Sequence, residues 1–285
     1  MASDTLRILI FGAHPDDPEW YAGGVAYRYA RQGHRVKMVS LTNGDAGHYE
    51  MFGAPLAQRR REEAAAAGAC LGVEYVVLDN HDAALLPTLE VREQVIRIMR
   101  EFRPDLMMTH RPWDYHADHR YTAQVVQDAV IPACHARSVA PDLPLLQPVP
   151  RMVYLWDEFT RPYPFIPDVV VDIDDVVEQK VEALHCHTSQ MYEGWAYFSQ
   201  AELSEDLMAR RAWLREQLEP YLLIAADLYR DKLIEFYGEE RGRHIRYAEA
   251  FEVCEYGKPA LQFATLLTDA DRRRLFPFFD ASTKR

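Results

Sequence analysis

Apolar and polar positions follow two different periods along the first 135 residues. Short apolar runs at Arg7–Phe11, Val36–Thr42, Tyr75–Leu78 and Leu106–Thr109 read as strands. Segments of helical period lie between them. Leu89–Phe102 places Val91, Val95, Ile98 and Phe102 at helical spacing, and Pro104 follows it. Gly23–Gln32 ends before Gly33, Gln58–Leu71 is rich in Glu, Arg and Ala and ends before Gly72, and His119–Val130 is the fourth helix. Strands alternating with helices predict crossover units and a parallel sheet.

The second half is less regular. Pro141, Pro144, Pro148 and Pro150 mark a loop. Val153–Trp156 and Val169–Ile173 read as strands, and Val176–His187 as a helix. Ser204–Leu218 and Leu222–Tyr237 read as two more helices, the second with Leu222, Tyr229, Leu233 and Phe236 on one face. Ala248–Val253 returns to the sheet. No internal repeat or low-complexity segment is present, so residues 1–285 are expected to form a single α/β domain.

In such sheets ligands bind beyond the carboxyl ends of the strands. Four consecutive strand ends here are polar: His14, Asp16 and Asp17; Asn43, Gly44 and Asp45; His81 and Asp82; and the stretch from His110 to His119. The first lies in GAHPDDPEW and the last in HRPWDYHADHRYT. Either alone has a bland reading. Asp16 and Asp17 suit a helix N-terminus. His116 and His119 are an isolated pair without the spacing or glutamate of a zinc protease. Both at strand ends of one sheet point to a metal, because a catalytic zinc takes three imidazole or carboxylate ligands and leaves a fourth position open.

AHPDD at 13–17 and DYHADH at 114–119 resemble the two signature motifs of the LmbE-like, or PIG-L, de-N-acetylase family. RREEAAAAGACLG at 60–72, VDIDDVVEQKVEALHCHTSQ at 171–190 and RYAEAFEV at 246–253 resemble further family segments. The resemblance implies a Rossmann-like, mostly parallel sheet flanked by helices. It also implies a zinc-dependent hydrolase that removes an acyl group, usually acetyl, from an amino-sugar nitrogen. Carried over by position, His14, Asp17 and His119 would hold Zn2+, other divalent transition metals being compatible with the donor set. Asp16 would be the general base and His116 the acid or oxyanion partner. Asp118 would orient a histidine, and Arg60 and Asp82 would bind substrate. Residues 191–243 are the least familiar part and read as a helical insertion, a lid or an oligomer contact. Two departures from the family pattern stand out: Pro18 in place of an acidic residue, and DAAL at 82–85 in place of Asp-Gly-x-Leu.

Other features bound the function. Apolar residues are 48% and charged residues 27%, ordinary for a globular chain. A formal net charge of −12 excludes nucleic acid and anionic membrane as principal partners. The start, MASDTLRILIFGAH, lacks the pattern of a signal peptide. Cys70, Cys134, Cys186 and Cys254 form no CxxC pair and are expected to be reduced, buried thiols in a cytoplasmic protein. His187 with Gln190 is a candidate near the site, and the aromatics of MYEGWAYFS at 191–199 read as sugar contacts, core or subunit interface. FGAHPDD has one glycine where the dinucleotide fingerprint needs three. The alternatives kept open are a metal-dependent amidohydrolase on a non-sugar amide and a non-catalytic metal-binding protein.

Overall fold

The computed structural model describes residues 5–257 and 267–279. Its strands are β1 (Arg7–Gly12), β2 (Arg35–Thr42), β3 (Glu74–Asn80), β4 (Leu106–Thr109), β5 (Arg151–Leu155), β6 (Val169–Asp172) and β7 (Ala248–Cys254). They form one sheet in the order β3-β2-β1-β4-β5-β7-β6. β3 through β5 run parallel, and β7 is antiparallel to both β5 and β6. The strand order reverses between β1 and β4, which opens a crevice at their carboxyl ends. The two motifs follow these two adjacent strands.

Alternation along each strand separates two cores. Ile8, Ile10, Met38 and Met108 face α1 (Asp17–Arg31) and α5 (Val177–Cys186) on one side. Leu9, Phe11, Val39 and Met107 face α3 (Leu89–Phe102) and α4 (Ala117–His135) on the other. α2 (Ala54–Leu71) packs beside α5 and β3.

The helices depart from expectation where tertiary partners replace local ones. α1 begins at Asp17 and continues through a kink at Ala22, where φ is −140°. There the Glu249 carboxylate accepts the N–H groups of Gly24 (2.9 Å) and Val25 (2.8 Å) and pairs with Lys180 at 2.7 Å. α4 runs on to His135 because the buried Arg100 guanidinium donates to the carbonyls of Pro132, Ala133 and Ala136 at its end. The break expected between residues 218 and 222 is absent. α6 (Trp195–Ser199) follows a π-helical turn at Ser189–Gly194, and α7 (Leu207–Leu228) then passes through Pro220. Pro220 and Glu216 lie on the exposed face, so the carbonyl that loses its partner meets water. The chain breaks instead at Tyr229, before α8 (Arg230–Tyr237) and α9 (Glu239–His244). α10 (Asp269–Leu275) starts with a capping box of Thr268 and Asp271, a helix the periodicity did not indicate.

Cys134 and Cys254 are buried, as expected. Cys70 is exposed and Cys186 half-buried, their sulfurs 3.6 Å apart across α2 and α5, which corrects the expectation of four buried thiols. Among the described residues no helix is long and apolar enough to cross a membrane.

Candidate metal centre

The turn after β1 is built for close approach. A Cβ on Gly12 would come within 2.7 Å of both Asp17 Cβ and Pro18 Cδ, so only glycine lets the strand fold directly onto α1. Asp16 stands at φ 141°, a region that L residues rarely adopt. Its N–H donates to Tyr75 Oη (3.3 Å) and its carboxylate meets Arg60 Nη2 at 3.1 Å; Arg60 also donates to the Pro15 carbonyl. Neither aspartate acts as a helix cap. Asp16, at the cap position, makes no capping bond, and Asp17 Oδ2 instead accepts the N–H groups of Ala13 (2.9 Å) and His14 (2.8 Å). Pro18 occupies the first turn of α1, where its missing N–H costs nothing.

Three side chains bring one atom each within 3.4 Å of one another. His14 Nδ1 and Asp17 Oδ2 are 3.4 Å apart, His119 Nε2 and Asp17 Oδ2 3.4 Å, and His14 Nδ1 and His119 Nε2 3.3 Å. A tetrahedral ion with bonds of about 2.0–2.1 Å separates its ligand atoms by about 3.3 Å. The donor set therefore fits a divalent ion in both kind and spacing. The remaining nitrogens meet carboxylates. His119 Nδ1 lies 3.0 Å from Asp114 Oδ2, and His14 Nε2 lies 3.2 Å from Asp82 Oδ1 and 3.4 Å from Asp118 Oδ2. Such outer carboxylates fix ring orientation and raise imidazole basicity.

The electrostatics suit a cation. Burial opposes charge on His14, yet Asp118, Asp17 and Asp82 raise its pKa well above the usual value. Burial likewise opposes the Asp17 anion, but His119 and His110 hold it well below the carboxylate range. Asp16 behaves differently from its neighbour. Burial pushes it up to about 6, against the pull of Arg60 and with a further push from Asp17. Burial, then His14 and His119, lower His116.

Sequence reading assigned no role to His110 or Asp114, although both lie in the strand-end stretch it singled out. His110 is buried, its Nε2 3.2 Å from Asp17 Oδ2, and its ring stacks on His119 at 4.1 Å between centroids. Asp114 stands inside the quoted motif, two residues before a histidine, and that spacing was the available signal. His187 is fully buried against Glu19, with Nε2 to Oε1 at 2.9 Å. His81 turns out to solvent and pairs with Asp45 at 2.6 Å. Ala83, where the family pattern has glycine, adopts φ 61°; its N–H donates to Asp118 Oδ2 at 2.7 Å, so the turn is kept.

A pocket of about 440 Å3 opens over these residues. Gly47, Arg60, Asp82 and Gln190 line its β2–β3 side. Trp20, Tyr21, Trp156, Phe159, Tyr221 and Ile224 line its β5–α7 side. Of the aromatic stretch at 191–199, only Met191 reaches this pocket. Tyr192 is buried, Trp195 packs on Trp20, and Tyr197 stacks on Tyr49 at 4.1 Å.

The family model described as GlcNAc-PI de-N-acetylase, PIG-L, matches residues 9–130. The chain is 30% identical over 201 residues to a diacetylchitobiose deacetylase of Thermococcus kodakarensis, covering 67% of this chain and 72% of that one. It is 28% identical over 212 residues to a 4-oxalmesaconate hydratase of Pseudomonas putida, covering 71% and 81%. Among solved structures, the N,N'-diacetylchitobiose deacetylase of Pyrococcus horikoshii shares the fold, with a TM-score of 0.69, 24% identity and coverage of 90% and 88%.

Proposed function

The chain belongs to the PIG-L (LmbE-like) family of de-N-acetylases, and from that membership we propose that it is a metal-dependent hydrolase that removes an N-acyl group from an amino sugar or small glycoside. The observation that carries this reading is the triangle of His14 Nδ1, Asp17 Oδ2 and His119 Nε2, with edges of 3.3–3.4 Å, beside a carboxyl at Asp16 that is poised near neutrality.

In this reading His14, Asp17 and His119 hold the ion, with zinc the first candidate. When bound, the ion supplies Lewis acidity toward the amide carbonyl and makes water a better nucleophile. Asp16 accepts the proton of the attacking water, and at about 6 its pKa suits a group that is ionised at pH 7 and can return that proton to the leaving nitrogen. His116 is lowered, so it serves as a neutral N–H donor to the oxygen that gains charge. Asp118 and Asp114 hold His14 and His119 in place. Asp82 and Arg60, on the polar side of the pocket, bind sugar hydroxyls. The 191–243 stretch supplies one wall of the pocket through Tyr221 and Ile224 of α7, and so acts as a fixed lid.

A second reading, hydration of an unsaturated polycarboxylic acid, is favoured by the likeness to the Pseudomonas putida hydratase. The pocket argues against it. Its lining carries Asp16, Asp17, Asp82, Asp157 and Glu158 against Arg60, with Asp157 paired to the buried Arg111. A polyanionic substrate would meet like charge there. Metal-loaded protein should release free amine from at least one member of a panel of N-acetyl amino sugars and glycosides, and should leave 4-oxalmesaconate unchanged. The opposite pattern would replace the first reading by the second.

A further inference from the structure

Behind the aromatic side of the pocket lies a second cavity of about 40 Å3. It shares Trp20, Tyr21, Trp156 and Tyr221 with the metal pocket, so the two spaces meet at these rings. Beyond them its walls are Leu184, Leu218, Leu222, Ala225, Ala248 and Ala250. Its polar side chains, Lys180 and Glu249, are turned to each other at 2.7 Å, and Glu249 also takes the Gly24 and Val25 N–H groups. The cavity thus offers no unpaired charge and suits a neutral apolar guest.

The kink in α1 lies beside this space. Trp20 and Tyr21 lie before Ala22, and the helix changes direction there. Tyr21 also sets its edge against the His110 ring at 5.4 Å, and His110 contacts Asp17. Tyr21 and His110 therefore stand between the cavity and the ligand triangle.

The substrate's direction follows from the two flanks. An amide held over the triangle sends its nitrogen substituent one way and its acyl carbon the other. Arg60, Asp82, Gly47 and Gln190 suit a hydroxylated ring on the β2–β3 side. The opposite side offers aromatic rings besides Asp157 and Glu158, and then the apolar cavity. We infer that this cavity is an acyl-chain subsite, and that the enzyme cleaves N-acyl amino sugars with acyl groups longer than acetyl. The inference rests on the amide-hydrolase reading and deepens it. The cavity is small beside the metal pocket, about 40 against about 440 Å3, and suits a short chain. Propionyl and butyryl fit within it. A much longer chain such as decanoyl does not.

The test compares N-acetyl-, N-butyryl- and N-decanoyl-glucosamine with wild type, Ala225→Leu and Leu222→Phe. Each methylene buried in such a pocket is worth about fourfold. Wild type should hydrolyse the butyryl compound at least as efficiently as the acetyl compound, and the decanoyl compound least. Both filling variants should lower the butyryl-to-acetyl ratio of kcat/KM by at least about tenfold. Butyramide should quench the fluorescence of Trp20 and Trp156 saturably in wild type and not in a folded filling variant. Efficient cleavage of acetyl with none of butyryl, or an unchanged ratio in both variants, overturns the subsite and leaves the amide-hydrolase reading standing. No cleavage of any N-acyl sugar overturns that reading, and absent butyramide quenching then removes the cavity's role as well.

Discussion

On the β2–β3 side of the pocket the charged side chains face one another. Asp82 faces His14, Arg60 faces Asp16, and the Asp118 carboxylate reaches His14 while accepting the Ala83 and Leu85 N–H groups. On the β5–α7 side Trp20, Trp156 and Tyr221 line the pocket, Asp157 is paired with Arg111 at 2.8 Å, and α7 behind the rings is fixed by buried Leu214 and Leu218. The first flank arranges charge, where a displaced atom would alter the field at the proposed ion site. The second arranges volume, where a substitution alters shape and packing. Changes on the two sides should therefore separate metal content from stability and specificity.

His119→Ala should have the largest effect. Removing one of the three proposed ligands should cost more metal affinity than the roughly 10–100-fold that losing an outer partner costs, and activity should fall with it. Metal analysis showing equal ion content in wild type, His14→Ala and His119→Ala would remove the basis of the comparison. Leu214→Ala, fully buried in α7, should cost about 2–5 kcal/mol of stability in denaturant titration while the folded protein keeps its full ion content. Loss of metal in that variant would mean that the flanks are not separable.

Asp114→Asn tests the charged contacts from the β4–α4 loop. It preserves shape but weakens the charged contact to His119 Nδ1, so metal affinity should fall by about 10–100-fold in a chelator competition. The smallest effect is expected at Ala83→Gly. Alanine at φ 61° pays for a left-handed conformation that glycine adopts freely, while glycine loses more entropy on folding. The net should be a gain of about 0.5–1 kcal/mol with unchanged metal content, read from the melting temperature.

The strand ends were legible because their chemistry is local. A short apolar run followed by His14, Asp16 and Asp17 can be read from ten residues, and the helix at Leu89–Phe102 matches its periodicity at both ends. What joins distant segments was not legible. His110 looked like one more histidine after β4, and only the fold stacks it on His119. Glu19 and His187 are 168 positions apart and meet in the core. The course of α1 depends on Glu249, which no local pattern reports. α7 hides its continuity because Pro220 reads as a break, and only its exposure explains why the helix passes through.

The central claim is that adjacent aspartates divide the labour: Asp17 holds the ion and Asp16 moves the proton. The most direct measurement is metal content beside kcat for Asp16→Asn and Asp17→Asn, on a substrate cleaved by wild type. Asp16→Asn should keep the ion and lose about 10²–10⁴-fold in kcat, about 3–5 kcal/mol of barrier. Asp17→Asn should lose the ion. Loss of metal in Asp16→Asn with retention in Asp17→Asn, or full activity in either, would contradict the account.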